Sequence, residues 1–180
     1  RTAAERRWAA TVRGKAREPM PEAFIGEPTA RVGQVRLLQE MNAIPISIKE
    51  INASLTNLAS VDLRHADLAL ANLRGANLAG ANLAGTNLAA SNLSSTNLTG
   101  ADLTGATATS TNMTGADLTD ADLTGADLTN ATISSATLVR TILTDADLSS
   151  VTGVAAILTR VAATGSTLAF ANLTGSTLLH

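Results

Sequence analysis

From Ala76 to Gly100 the chain reads ANLAG, ANLAG, TNLAA, SNLSS, TNLTG: a small residue, Asn, Leu and two further residues, five times without a gap. Moving outward, the same phase places Leu at 58, 63, 68, 73 before the stretch and at 103, 118, 123, 128 after it, with Met113 and Ile133 in the same register. Leu138, Leu143, Leu148, Leu158, Leu168, Leu173 and Leu178 continue it. Counted from Ile51 to His180, the frame covers 130 residues, or 26 pentapeptides, with no insertion.

A period of five fits neither the 3.6 residues of a helical turn nor the two-residue alternation of a flat strand. If the central residue and the small residue two before it both point inward, the chain must bend once per unit. Each pentapeptide is then one side of a coil, and the fifth residue, often Gly, sits at the corner. Stacked coils bury a continuous apolar ladder that no coil could bury alone. At about 1.5 to 3 kcal/mol per buried Leu, that ladder is the main stabilising term. The Asn and Asp between the inward pair suit Asx-type hydrogen bonds that support the bend.

The unit A(D/N)LxG, as in Ala76-Asn77-Leu78-Ala79-Gly80 and, with Asn at the corner, Ala126-Asp127-Leu128-Thr129-Asn130, resembles the pentapeptide-repeat family over about 130 of the 180 residues. The resemblance implies an all-β solenoid, a right-handed quadrilateral parallel β-helix with four pentapeptides per coil. That gives six to seven coils, a rod roughly 31 Å long at about 4.8 Å per layer. Residues 20 apart would stack, so Leu58, Leu78, Leu98, Leu118, Leu138, Leu158 and Leu178 form one core column.

The departures from the pattern are informative. At Ile51/Ala53, Val151/Gly153 and Val161/Ala163 the large and small inward positions exchange, which keeps the core filled. Ala106/Ala108 has no such exchange, and a local void, a water or a bend of the wall is expected there. Outward, a spacing of 20 aligns Asp120, Arg140, Arg160 and His180, making Asp120 with Arg140 a candidate ion pair and the column either ordinary solvated surface or a partner-facing electrostatic stripe. Thr104, Thr124, Thr144 and Thr164 form another column, and Leu70 and Phe170 share a third.

Residues 1–50 lack the repeat and carry nine Lys/Arg against six Asp/Glu, whereas residues 51–180 carry four Arg against nine Asp. Residues 1–28 read as a basic helical arm and Pro-rich linker: Thr2 and Glu5 fit a capping box, and Pro19, Pro21 and Pro28 break the stretch that follows. Residues 29–50 read as a helical cap over the first coil, which would otherwise expose unpaired backbone. Arg6, Arg7, Trp8 and Arg13 make the arm a candidate contact for an acidic or membrane surface, the alternative being a remnant of a targeting sequence. On the solenoid, Arg140, Arg160 and Phe170 are the candidate partner contacts.

No catalytic constellation is evident. His65 and His180 are the only histidines, both at outward positions, and neither stands in a triad or metal spacing. Cysteine is absent, so disulfides and thiolate chemistry are excluded. The glycines mark corners and do not form a phosphate loop. No stretch of about 18 apolar residues exists to span a membrane. No cofactor, metal or direct nucleic-acid contact is expected.

The reading is a non-enzymatic structural and interaction module, an accessory or scaffolding subunit. It would meet protein partners through the arm, the solenoid walls or an open C-terminal edge, and association with a membrane complex is compatible. The family's abundance in cyanobacteria and chloroplasts implies a photosynthetic assembly, in the thylakoid lumen after removal of a targeting peptide; a bacterial cytoplasm is the alternative. Two other functions stay open. One is the family's DNA-mimicking, gyrase-binding branch, from which this chain departs: seven of its nine solenoid Asp precede the central residue, and Leu fills centres where that branch often has Phe. The other is an ice- or surface-binding solenoid, suggested by the Thr columns and by Thr107, Thr109 and Thr111.

Overall fold

The computed structural model describes residues 57–179. Throughout this range the backbone pairs in parallel with itself at a spacing of 20 residues, from Asn57 with Asn77 to Thr152 with Asn172. Four pentapeptides therefore make one coil, and the molecule is a four-sided stack. The first wall carries the centres Leu58, Leu78, Leu98, Leu118, Leu138 and Leu158. The second begins with Leu63, the third with Leu68 and the fourth with Leu73. Pairing is mostly one bridge per side; only on the first wall does it lengthen into strands, β1 (Ile157–Thr159) and β2 (Thr177–Leu179). They are parallel, with Ile157 opposite Thr177 and Thr159 opposite Leu179.

Hydrogen bonding explains the period. The central residue's carbonyl accepts the N–H three residues on, as Leu78 accepts from Ala81 at 3.0 Å, closing a turn. Every fifth residue from Ser60 to Gly175 then lies in the left-handed region, with φ between +54° and +73°. A positive φ at the third residue of a four-residue turn is the mark of type II. Glycine adopts it at no steric cost, but Leu70, Arg140 and Phe170 are among the non-glycine residues held there. Between coils, the N–H groups of the central and corner residues donate to the coil that follows, as Leu78 does to Asn97 at 2.7 Å and Gly80 to Thr99 at 2.9 Å.

The N–H of the fourth residue is left over, and the Asx side chains take it. Each Asn and Asp at the second position, from Asn57 to Asn172, accepts the N–H two residues on through Oδ1. The expected Asx role thus holds at every described Asn and Asp of the second position. A second polar device lies inside. The hydroxyls of Thr86, Thr96, Thr111 and Thr141 are buried at the small inward position, and each donates to the carbonyl 23 residues earlier. Ser176 does the same to Gly153. Ser91 Oγ, buried at an equivalent position, has no partner.

The Leu ladder is buried as expected from Leu58 to Leu158. Leu178 corrects the expectation of seven core residues: it lies in the same column but is 63% exposed, since no described coil stacks beyond it. Of the volume exchanges, Val151/Gly153 is visible in detail. A Cβ on Gly153 would meet Leu173 Cδ2 at 2.7 Å and Ile133 Cγ1 at 3.0 Å, so side chains from the adjacent coils fill the space the glycine leaves. Val161 packs against the core while Ala163 is exposed. Ile51/Ala53, the arm and the cap lie outside the described residues.

Candidate interaction surfaces

A regular stack leaves the second, fourth and fifth positions of each pentapeptide to face solvent, so any binding surface must be assembled from columns of these residues. The corner between the first and second walls carries the candidate ion pair. Arg140 donates through Nε and Nη2 to the two carboxylate oxygens of Asp120, both at 2.6 Å. The Arg140 hydrogen bond holds the Asp120 carboxyl below the usual range, against the opposing effect of desolvation and with the help of the Arg140 charge. Arg160 follows in the same column, with no ion pair among the described residues. His180 lies outside them.

A second forked pair was not anticipated. Arg64 reaches back two residues to Asp62, at 2.9 Å from Nε and 2.8 Å from Nη2. The Arg64 side chain, with the Arg64 backbone N–H, lowers the Asp62 carboxyl to about 2. Its signal was available in the sequence: Asp at the second position followed by Arg at the fourth puts both side chains on one wall. His65, at the next corner, is exposed as expected and lies over Gly85, where a Cβ would collide with its ring.

Phe170 occupies a left-handed corner and is 93% exposed. Leu70, in the same column, is exposed as well. Apolar residues also break out on the first wall and its margins: Val154, Ile157 and Ile142 are all exposed, a group the sequence reading passed over. The signal was Ile at the second position, where the rest of the stack has Asn, Asp, Thr or Ala.

The remaining acids are quieter than their number suggests. Asp62, Asp67, Asp102, Asp117, Asp122, Asp127 and Asp147 each spend Oδ1 on a backbone N–H. Asp147 is held down by Ser149, through side chain and backbone, and by the Thr129 hydroxyl. The Thr107, Thr109, Thr111 row does not form one outward surface: Thr107 is exposed but Thr111 is buried, with its hydroxyl on the Leu88 carbonyl. Among the described residues no group of His, Cys, Asp or Glu could hold a metal ion, and no helix is long and apolar enough to cross a membrane. Arg6, Arg7, Trp8 and Arg13 lie outside the described residues.

Comparison with known families decides the origin of the stack. The profile of pentapeptide repeats matches in 8 copies, spanning residues 56–149, more than half of the chain. The chain belongs to the pentapeptide-repeat family. Members of that family form right-handed quadrilateral β-helices. The family is typically one of non-enzymatic structural and interaction proteins.

Solved pentapeptide-repeat structures similar to this chain include HetL, described as involved in heterocyst differentiation regulation in the cyanobacterium Nostoc sp. strain PCC 7120. It is 32% identical, with 67% of this chain and 62% of HetL covered and a TM-score of 0.47. Rfr23 from the cyanobacterium Cyanothece 51142 is 31% identical, with 58% and 65% covered and a TM-score of 0.36. A pentapeptide-repeat protein from the Arabidopsis thaliana thylakoid lumen is 25% identical, with 67% and 60% covered and a TM-score of 0.21. The match thus spans less than two thirds of the length of each. No match is found among curated protein sequences.

Proposed function

We propose that this pentapeptide-repeat protein is a non-enzymatic docking subunit of a larger protein assembly, with Arg140, Arg160 and Phe170 on the solenoid and Arg6, Arg7, Trp8 and Arg13 in the arm as its contacts. The observation that carries the reading is Phe170. An aromatic side chain left 93% exposed at a left-handed corner gives nothing to the core and costs backbone strain. Aromatic and Arg side chains are the residue types that anchor protein interfaces.

A photosynthetic membrane assembly in the thylakoid lumen is the setting we favour, with a bacterial cytoplasm as the alternative; it draws on the family's occurrence and on the lumenal relative. Gyrase mimicry is the weaker reading, because it needs a dense free negative stripe. Here Arg140 neutralises Asp120, and the columns of second-position Asp residues are interrupted by neutral Asn, Thr, Ile and Ala. An ice-binding wall is weakened by the inward turn of Thr111.

Affinity capture from the source organism tests the arm. The full chain should retain a defined protein complex that the Arg6→Glu, Arg7→Glu, Trp8→Ala, Arg13→Glu variant loses. An identical set of partners with both would remove the arm from the interface. Inhibition of gyrase supercoiling at micromolar protein would overturn the reading in favour of mimicry.

A further inference from the structure

The first wall changes character along its length. In its upper coils the outward second position is Asn57, Asn77, Asn97 and Asp117, each tied to a backbone N–H. Below, the column continues as Thr137 and Ile157, and the fourth position becomes Val139 and Thr159. Across the corner Ile142 takes the place of an Asx residue on the second wall, and Val154 borders the wall on its other side.

Two features make this more than scattered exposure. Ile142 and Ile157 each forgo the Asx bond that every Asn and Asp at their position makes, and they point outward, so the core receives nothing in return; Ile142 is 37% exposed and Ile157 42%. Among the described residues this is also the only wall where bridging lengthens into the paired strands β1 and β2. Leu158 of β1 packs inward while Ile157 faces out, so the sheet is apolar on both sides there. Sheets of that kind are found where both faces are covered. A local rule broken without structural gain points to a functional site.

We infer that this strip docks an extended, carboxylate-bearing apolar segment of a partner protein, a conclusion that rests on the docking reading above and gives it a chemistry. Charge complementarity selects the occupant: Arg160 stands at the corner next to Ile157 and Thr159 with no acidic partner among the described residues, whereas Arg140 one coil above is held by Asp120. Size selects it too. Three layers at about 4.8 Å and one short side of a coil make a surface on the scale of a few residues, far below the ~800 Å² per partner of a stable folded interface. A single strand with alternating apolar and acidic side chains fits, its apolar side against Ile157 and Val139 and a carboxylate toward the Arg160 guanidinium.

The test is an NMR titration of the full chain with a synthetic peptide alternating Val and Glu, and with its Val and Lys counterpart. The Glu peptide should shift the amides of Ile157, Thr159 and Arg160, about tenfold more weakly in Arg160→Glu, and the Lys peptide should not. The Ile142→Asn, Ile157→Asn variant separates docking from structure: restoring the Asx bonds should raise Tm by about 2 to 4 °C while abolishing the titration. No perturbation of this wall at millimolar Glu peptide, or equal binding by the double Asn variant, overturns the inference. So does binding of phosphatidylserine vesicles through Arg140 and Arg160 in place of the peptide, which would make the strip a membrane contact. Loss of peptide binding with partner capture intact would remove this strip alone and leave the docking function standing.

Discussion

Arg140 holds Asp120 through a two-pronged hydrogen bond across one full coil, each N to O distance 2.6 Å. The pair exists because residues 20 apart stack, so it reports the register directly. Both side chains are about half exposed, so salt should screen the pair. Asp120→Asn and Arg140→Gln should each lower Tm slightly, with a non-additive double variant, and the coupling should fade between about 0.1 and 1 M salt. Additive effects would mean that the two side chains do not meet.

Acid should destabilise the solenoid in a defined window. Asp62, Asp120 and Asp147 all have folded carboxyl values below the ordinary one. A depressed carboxylate stabilises the fold fully above its unfolded value, about 3.9, and that contribution is lost as pH falls through the folded value. For Asp62 the window runs down to about 2. Urea midpoints measured across it should fall, and Asp62→Asn, which retains an Oδ1 acceptor, should flatten the slope.

The corner and the Asx positions make separable contributions. Gly125 has open space where a Cβ would stand, so Gly125→Ala tests backbone conformation alone and should cost about 1 to 2 kcal/mol by denaturant melting. Asn92→Ala removes the acceptor for the Ser94 N–H and should cost about 0.5 to 1.5 kcal/mol.

Two small inward residues should answer oppositely to enlargement. Ala108 is buried between Leu88 and Leu128 in its column with no compensating exchange, so Ala108→Leu should raise Tm. At Gly153, Ile133 and Leu173 already fill the space, and Gly153→Leu should destabilise by about 1 to 3 kcal/mol. A fall in Tm for Ala108→Leu would mean that the expected void is absent.

The architecture was legible because its cause is one-dimensional. A five-residue frame fixes which residues point inward, and the 20-residue coil then fixes every column, so the Leu58 to Leu158 ladder and the Asp120 with Arg140 pair follow by counting. What the frame could not convey is where tolerance ends. It marks glycine as the corner residue, yet Phe170 and Arg140 sit at corners too, since stacking and turn bonds outweigh the local penalty. It places Thr111 at the small inward position, yet gives no sign that the hydroxyl buried there donates to a carbonyl 23 residues back. The apolar strip was passed over because Ile142 and Ile157 are unremarkable singly; they become a surface only when neighbouring coils and walls are placed side by side.

Photo-crosslinking in cells of the source organism tests most directly whether the stack is a docking body. A photoreactive phenylalanine replaces Phe170 in one full-length chain, Thr159 in a second and, as a control wall, Ser94 in a third. The account expects discrete protein adducts from positions 170 and 159 and none from position 94. Equal, diffuse labelling from all three positions, or no adduct from any, would contradict it.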